Sequence, residues 1–571
     1  MGRAFRSLSW QTAAATFSSH ALATGQCDGI FVGSLSAALH SEMKDDELSN
    51  PSWAGSSGTF DAVVVGAGAS GGLAAELLTA AGLQVLLLDA GYPEGSSPSA
   101  PSRNLAQRLA SFASPAHMPF MPEALLAAMR KPLPLLGRLR QPIQSKCHAW
   151  SRKPDAYVDD IDCPFVEASD DPFYWIRCRG LGGRLAVPGH GGIYVRFGAE
   201  DFAFGNDGRP PWPFPLKELD PWYSSVEKRL GMLAADGKDS ELATATKTDE
   251  LRNAVMLRLL SRWPRMNVES CKGIPPPDCV AAAARTGRLV LRQGAIARSI
   301  AVENGCAKGV TWFDMATQKE CSAGARVVFL CASPLESTRL LLLSHDQANG
   351  TPLGAKSNSL GNFLMDHIVM RADAFGPWPA GISKQWGEEP RGFLLQRFGT
   401  CQDRNPEQHS NFGVQIYAAK TSFGRMGLYL SAFHEMLPQT NHRVALDPHL
   451  RDRWGIPVLR IDCRHGLSET KGAASMKLAL GELAGTLNAK IRRFHDCHAA
   501  AGLAMHECGT ARMGNDPSSS VLDPNNECWD TKGLFVTDAA SFPSQGTVNP
   551  TLTVLALTAR ACAHAVGHRE S

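Results

Sequence analysis

Three glycines and one acid carry the first chemical signal in this chain. Gly66-Ala-Gly68-Ala-Ser-Gly71 has a characteristic spacing. The first glycine makes a tight turn, the second lets backbone approach a pyrophosphate, and the third lets a helix pack closely on a strand. The free N–H groups at the start of the helix that follows suit an anion. Asp89, 23 positions after Gly66, is placed to accept hydrogen bonds from an adenosine ribose. The chemistry these residues point to is dinucleotide binding. At this point it does not separate a flavin from a nicotinamide.

The elements needed to position them are present. Asp61-Ala-Val-Val-Val65 is a short continuous apolar run of the kind a buried parallel strand shows, and Val85-Leu-Leu-Leu-Asp89 is a second one. Between them Leu73, Ala74, Leu77, Leu78 and Ala81 recur at helical spacing, and Gly82 closes the helix. At the other end, Gly533-Leu-Phe-Val-Thr-Asp538 precedes a loop. Asn549 and Pro550 then suit the N-cap and N1 positions of a long final helix. The partial positive charge of that helix start would stabilise negative charge on a reduced flavin ring.

At 571 residues the chain needs two domains, or one large domain with insertions. Hydrophobic residues make up 44%, and 57 Lys+Arg nearly balance 55 Asp+Glu, which gives no electrostatic reason to expect nucleic acid. The 15 cysteines lack a CxxC pair or a His-rich ligand cluster, so neither a metal site nor a disulfide framework is expected, and a reducing compartment is the default. No run approaches the roughly 18 apolar residues of a transmembrane segment. Residues 1–55 read as a flexible extension; Arg3 and Arg6 before a Ser/Ala/Thr stretch leave a targeting peptide as the alternative to a cytoplasmic location.

Six ordered blocks between about Phe60 and Val566 resemble the glucose-methanol-choline (GMC) oxidoreductase family. They are the phosphate loop through Asp89; Arg179 to Gly183 with Arg196 and Asp201-Phe202; Trp212-Pro213 with Leu219 to Tyr223 and Glu227; Arg326 to Leu343; Leu360 to His367; and His506 to Arg560. The stretch from Arg177 to Asp201 looks most like the branch of pyranose oxidases and the FAD subunits of gluconate and fructose dehydrogenases. The resemblance implies an α/β fold with a discontinuous Rossmann-like FAD-binding domain and an α+β substrate domain built on an antiparallel sheet. The implied segments are 56–349 (with insertions at about 96–174 and 206–264) and 500–571 for FAD, and 350–499 for substrate. Within the first, residues 265–345 belong to the FAD domain, and Ser333-Pro334-Leu335-Glu336 reads as a capping box opening a helix.

The resemblance further implies oxidation of a CH–OH group of a sugar, glycoside or other alcohol by hydride transfer to flavin N5. His506 is the implied general base and Asn549 its partner, with His367 more structural. A histidine accepts a proton near neutral pH, whereas an asparagine amide can only orient the substrate oxygen. FAD is expected to contact Gly66, Gly68, Gly71, Asp89, Gly183, Ala297, Asp538, Asn549, Pro550 and Thr551. Where some relatives carry a histidine bonded covalently to the flavin, the aligned residue is Val187, followed by Pro188, so the FAD is expected to be noncovalent. His190 lies three residues beyond. A flavin-containing lyase and an NAD-dependent dehydrogenase are the alternatives. Oxygen, a quinone or a redox protein are all open as electron acceptor, and a homo-oligomer is allowed. The basic stretch 101–153 reads as a substrate-entrance lid or oligomer contact, with an anionic membrane surface as the other option.

Overall fold

The structure is a computed structural model. It describes residues 59–93, 140–168, 172–190, 193–203, 209–232, 250–264, 266, 268–271, 278–346, 350–380, 382, 391–398, 412–421, 424–495 and 500–567. The N-terminal extension and residues 101–139 of the basic stretch lie outside this set.

The phosphate-loop unit consists of β1 (Thr59–Val65), α1 (Ala69–Ala80) and β2 (Val85–Asp89). β1 pairs in parallel with β2 on one side and with Lys319–Leu330 on the other. Leu289–Gln293 and Thr531–Val536 extend the parallel order outward. The central strands read as unbroken Val/Leu runs because both faces are covered. α1 lies on one face between the helices Cys279–Arg285 and Thr551–Gly567. Ser70 on α1 hydrogen-bonds to both Thr537 and Thr558 at 2.9 Å, which fastens the last helix to the first. Gly66, at φ +99°, could not carry a side chain, because a Cβ would meet the Cys331 carbonyl oxygen at 2.4 Å.

A second sheet is wholly antiparallel. Its order is Lys490–His495, Ile368–Gly376, Met426–His434, Phe412–Lys420, Arg391–Leu395 and Val268–Cys271. The last strand comes from the stretch assigned by sequence to the first domain. It crosses over because Arg391–Leu395 would otherwise leave a row of backbone groups unpaired at the sheet edge. The helix Leu467–Thr486 covers the outer face, and Gly472 allows close approach: a Cβ there would sit 2.5 Å from the His434 ring.

The helix Pro334–Leu343 begins with proline at N1, but the capping box does not form. Ser333 sits at φ +82° and makes no side-chain cap, while Glu336 pairs with Arg339 at 3.3 Å. In this left-handed backbone the serine makes no side-chain bond to the helix start, and the acid pairs with a cation one turn on.

The last two glycines of the loop separate packing from ligand space. A Cβ on Gly71 would lie 1.8 Å from the Gly66 carbonyl oxygen, and one on Gly68 would find nothing within 4 Å. Gly71→Ala is therefore expected to cost about 1–3 kcal/mol or more through overpacking. Gly68→Ala should cost less than about 1 kcal/mol. Thermal unfolding of the two variants side by side is the check, and equal losses would contradict this packing.

Candidate active site

The two sheets enclose a cavity of about 880 Å3, large enough for a dinucleotide and a small substrate together. At one end it is walled by the phosphate loop. Gly68 faces the open space, and Gly183 stands opposite, where a Cβ would come within 3.3 Å of the Gly68 Cα. Gly66 and Asp89 also line the wall. Gly71 does not; its part is the tight packing of α1 on the loop.

Asp89 is buried and already engaged. Its Oδ2 accepts the Ala67 N–H at 3.0 Å, and its Oδ1 accepts those of Gly91 at 2.7 Å and Gly180 at 3.0 Å. Burial holds its carboxyl above the usual range against the pull of those bonds. It is first a brace between loop and neighbouring segment, with one lone-pair direction left on Oδ2 for a ribose hydroxyl. Ala297, on Ala295–Glu303, lines the same end.

From the other terminus, Asp538 lines the cavity. It caps a short turn by accepting the Ala540 N–H at 3.0 Å, and it also accepts from the Ser337 hydroxyl. Burial pushes it up to about 6. Pro550 and Thr551 line the wall where the last helix begins, but the capping register differs from the sequence reading. The helix runs Thr551–Gly567 and its first bond joins the Val554 N–H to the Pro550 carbonyl, so Pro550 holds the cap position. Asn549 is one residue too early to cap. Its Oδ1 instead accepts from Gln415 Nε2 on the antiparallel sheet, and its Nδ2 lies 3.5 Å from His506 Nε2.

His506 and Asn549, 43 positions apart in the chain, thus meet at the far end of the cavity. The His506 backbone is pinned on both sides. Its N–H donates to Asp366 Oδ1 at 2.9 Å, and its carbonyl accepts from Gln545 Nε2 at 2.9 Å. Asp366 Oδ2 also accepts the N–H groups of Gly502 and Ala504, which shapes the loop before the histidine. His506 Nδ1 lies 2.7 Å from His367 Nδ1, and His367 Nε2 lies 2.9 Å from the Gly546 carbonyl oxygen. Burial, then the neighbouring His367, Arg184 and Arg371, hold His506 well below the ordinary histidine range; burial lowers His367 to about 4. Both rings are therefore neutral near pH 7.

Val187 is buried in a side cluster with Tyr157 and Ile176 and does not face the cavity. His190 does, with its Nε2 held 2.6 Å from the Tyr157 hydroxyl. The described part of the basic stretch contributes His148, Ser151 and Arg152 to the wall. Sequence reasoning missed Gln415, Asp366 and Arg184. Gln415 could have been flagged as the lone amide in an apolar strand, Phe412–Lys420. Arg184 holds the loop that carries His506 through the Met505 carbonyl at 2.6 Å and Glu507 at 3.0 Å.

Residues 438–558, which include both His506 and Asn549, match the family model described as GMC oxidoreductase. Over that stretch the chain is similar to the GMC oxidoreductases. The chain is 28% identical over 312 residues to 2-methyl-1,2-propanediol dehydrogenase of Mycolicibacterium austroafricanum, covering 48% of the chain and 53% of that relative. It is 27% identical over 255 residues to the fructose dehydrogenase large subunit of Gluconobacter japonicus, covering 42% and 46%. Both alignments span only about half the length of those relatives. A longer one, 23% identical, joins 87% of the chain to 89% of 6'''-hydroxyparomomycin C oxidase of Streptomyces lividus. Among solved structures, pyridoxine 4-oxidase from Mesorbium loti shares the fold, with a TM-score of 0.57 at 19% identity over 88% of this chain and 98% of the other. Neither the lyase nor the NAD-dependent alternative gains support from these relatives.

Asp538 yields a pH test. Its folded carboxyl holds a proton up to about 6 against 3.8 for the free side chain, so ionising it costs the fold stability as pH rises through that window. Asp538→Asn lacks this cost. Its melting temperature relative to the parent protein is expected to rise between about pH 4.5 and about pH 7.5. A difference that stays constant across the range would show that burial does not tune this carboxylate.

Proposed function

We propose that this protein is an FAD-dependent oxidoreductase that oxidises a CH–OH group of a sugar, glycoside or other alcohol, with His506 as the general base. The observation that carries the reading is continuity. One cavity runs from the glycine cradle at Gly66, Gly68 and Gly183 to the neutral imidazole of His506 and the Asn549 amide. The names of the relatives, dehydrogenases and oxidases of diols, sugars and glycosides, agree with it.

The residues present fit the cofactor. Gly68 leaves open space where a pyrophosphate would pass, Asp89 retains a lone pair for ribose, and Ala297 offers a flat wall at the adenosine end. Asp538 and the helix start at Pro550 and Thr551 would hold the remainder, the helix through its partial positive charge. Bound there, FAD would supply the two-electron acceptor for the hydride that leaves the substrate carbon. The chain's own residues manage the proton and the geometry. His506 Nε2 accepts the hydroxyl proton, Asn549 Nδ2 donates to the substrate oxygen, and Gln415 fixes the amide by bonding its oxygen. Phe433, with its ring centroid 5.6 Å from that of His506, screens the imidazole from water.

We also propose that the FAD is noncovalent. Val187 offers no nucleophilic nitrogen and is buried away from the cavity, and the Nε2 of His190 is engaged by Tyr157. Acid precipitation of the yellow protein is expected to release all the flavin as intact FAD into the supernatant. A pellet that stays yellow would point to attachment through His190.

His506→Ala should keep the flavin and slow its anaerobic reduction by about 10²-fold or more, the usual scale for losing a general base. Asn549→Ala should lose less, through misorientation of the substrate. Stopped-flow reduction with saturating substrate reads both, and a His506→Ala enzyme reduced at nearly the parent rate would place the base elsewhere.

A further inference from the structure

We infer that His367 is a positioning residue that fixes His506 in the tautomer whose Nε2 is bare and faces the cavity. The inference rests on the reading of His506 as the base. It follows from donor and acceptor counting along three groups. His367 Nε2 lies 2.9 Å from the Gly546 carbonyl oxygen, which can only accept, so the His367 proton is on Nε2. A neutral His367 then presents a lone pair at Nδ1. His506 Nδ1 lies 2.7 Å away and must be the donor, because two bare nitrogens would repel at that distance. A neutral His506 with its proton on Nδ1 has a bare Nε2, the nitrogen beside the Asn549 amide.

Among the described residues, the ring nitrogens of this pair otherwise contact only the Asn549 amide, at His506 Nε2. His367 is buried, and the Phe433 ring packs against both imidazoles, with centroids 5.9 and 5.6 Å away. The ring planes of the two histidines cross at 84°, so each lone pair or N–H stays in its own ring plane along the shared line. With the His506 backbone held by Asp366 and Gln545, the one remaining freedom of this residue is its ring and its proton. His367 removes that freedom. When Nε2 takes the substrate proton, His506 becomes an imidazolium whose Nδ1–H already has an acceptor, so no group has to reorient during the transfer. In Ser-His-Asp enzymes a carboxylate performs this orienting task, and imposing the wrong tautomer there costs about 10⁴-fold. Here a second, neutral imidazole is anchored to a backbone carbonyl that cannot turn round.

Two substitutions and one spectrum test this. His367→Leu fills the space without an acceptor, and flavin reduction should slow by at least about 10-fold with KM little changed, since substrate binding is not touched. His367→Asn places an oxygen where Nδ1 was, and should recover most of that loss although its bond to Gly546 is gone. In the parent holoenzyme labelled with 15N-histidine, His506 should show Nε2 as a bare imidazole nitrogen and Nδ1 as protonated. His367→Leu should show a tautomer mixture. His367→Leu reduced at the parent rate, an Asn variant as slow as the Leu variant, or a protonated Nε2 in the parent spectrum would each overturn the inference. If the Leu variant fails to fold, the parent spectrum alone decides. A fast His506→Ala enzyme would remove the base reading and this inference together, whereas a slow His506→Ala beside an unaffected His367→Leu removes only this one.

Discussion

A buried carboxylate with no cation in close contact must collect hydrogen-bond donors, and three such aspartates frame the cavity. Asp89 gathers the N–H groups of Ala67, Gly91 and Gly180; Asp366 gathers those of Gly502, Ala504 and His506; Asp538 gathers that of Ala540 and the Ser337 hydroxyl. In each case segments distant in sequence are held against one another. Burial lifts all three above the ordinary carboxylate range, Asp366 to about 7 with Glu507 adding to the effect. Losing any of them would leave two or three donors buried without an acceptor, at about 1–3 kcal/mol each. These bonds hold the irregular loops of the site in place, together with Arg184 and Gln545 around His506.

What the sequence made legible was local. The stretch from Gly66 to Asp89 declares itself because its turn, helix and strands all lie within one βαβ unit, whose periodicities need no outside partner. His506 and Asn549 came from a family resemblance rather than from any pattern in the residues, and the cavity brings them together. The cap at Asn549 was misread by one position because Asn-Pro suits either register; Gln415, on a strand more than a hundred residues earlier, takes the asparagine oxygen and settles it. Ser333 and Glu336 have capping-box spacing, yet a left-handed backbone at Ser333 and a nearby Arg339 defeat it. The role of His367 was invisible for a plainer reason. It depends on a nitrogen 139 positions away and on which proton a carbonyl forces it to keep.

The electrostatics of the site favour the neutral form of His148, His190, His367 and His506. His148 and His190 in the cavity wall are held down to about 4 and about 3, chiefly by burial, with arginines contributing, and His367 and His506 follow the same trend. A neutral imidazole is what a base requires, but one this reluctant to charge is a poor resting place for a proton. The proton is better accepted as the hydride departs than before it, when the substrate oxygen would be left as an uncompensated alkoxide. An anionic neighbour would raise His506 toward the range where general bases act. The cavity walls themselves supply mostly positive charge there, from Arg184 and Arg371. On the proposed reading, negative charge that arrives with the occupants of the cavity would help to balance an imidazolium. With His506 as the proposed base, such a site would be matched to the charge distribution of the reacting state more than to that of the empty protein.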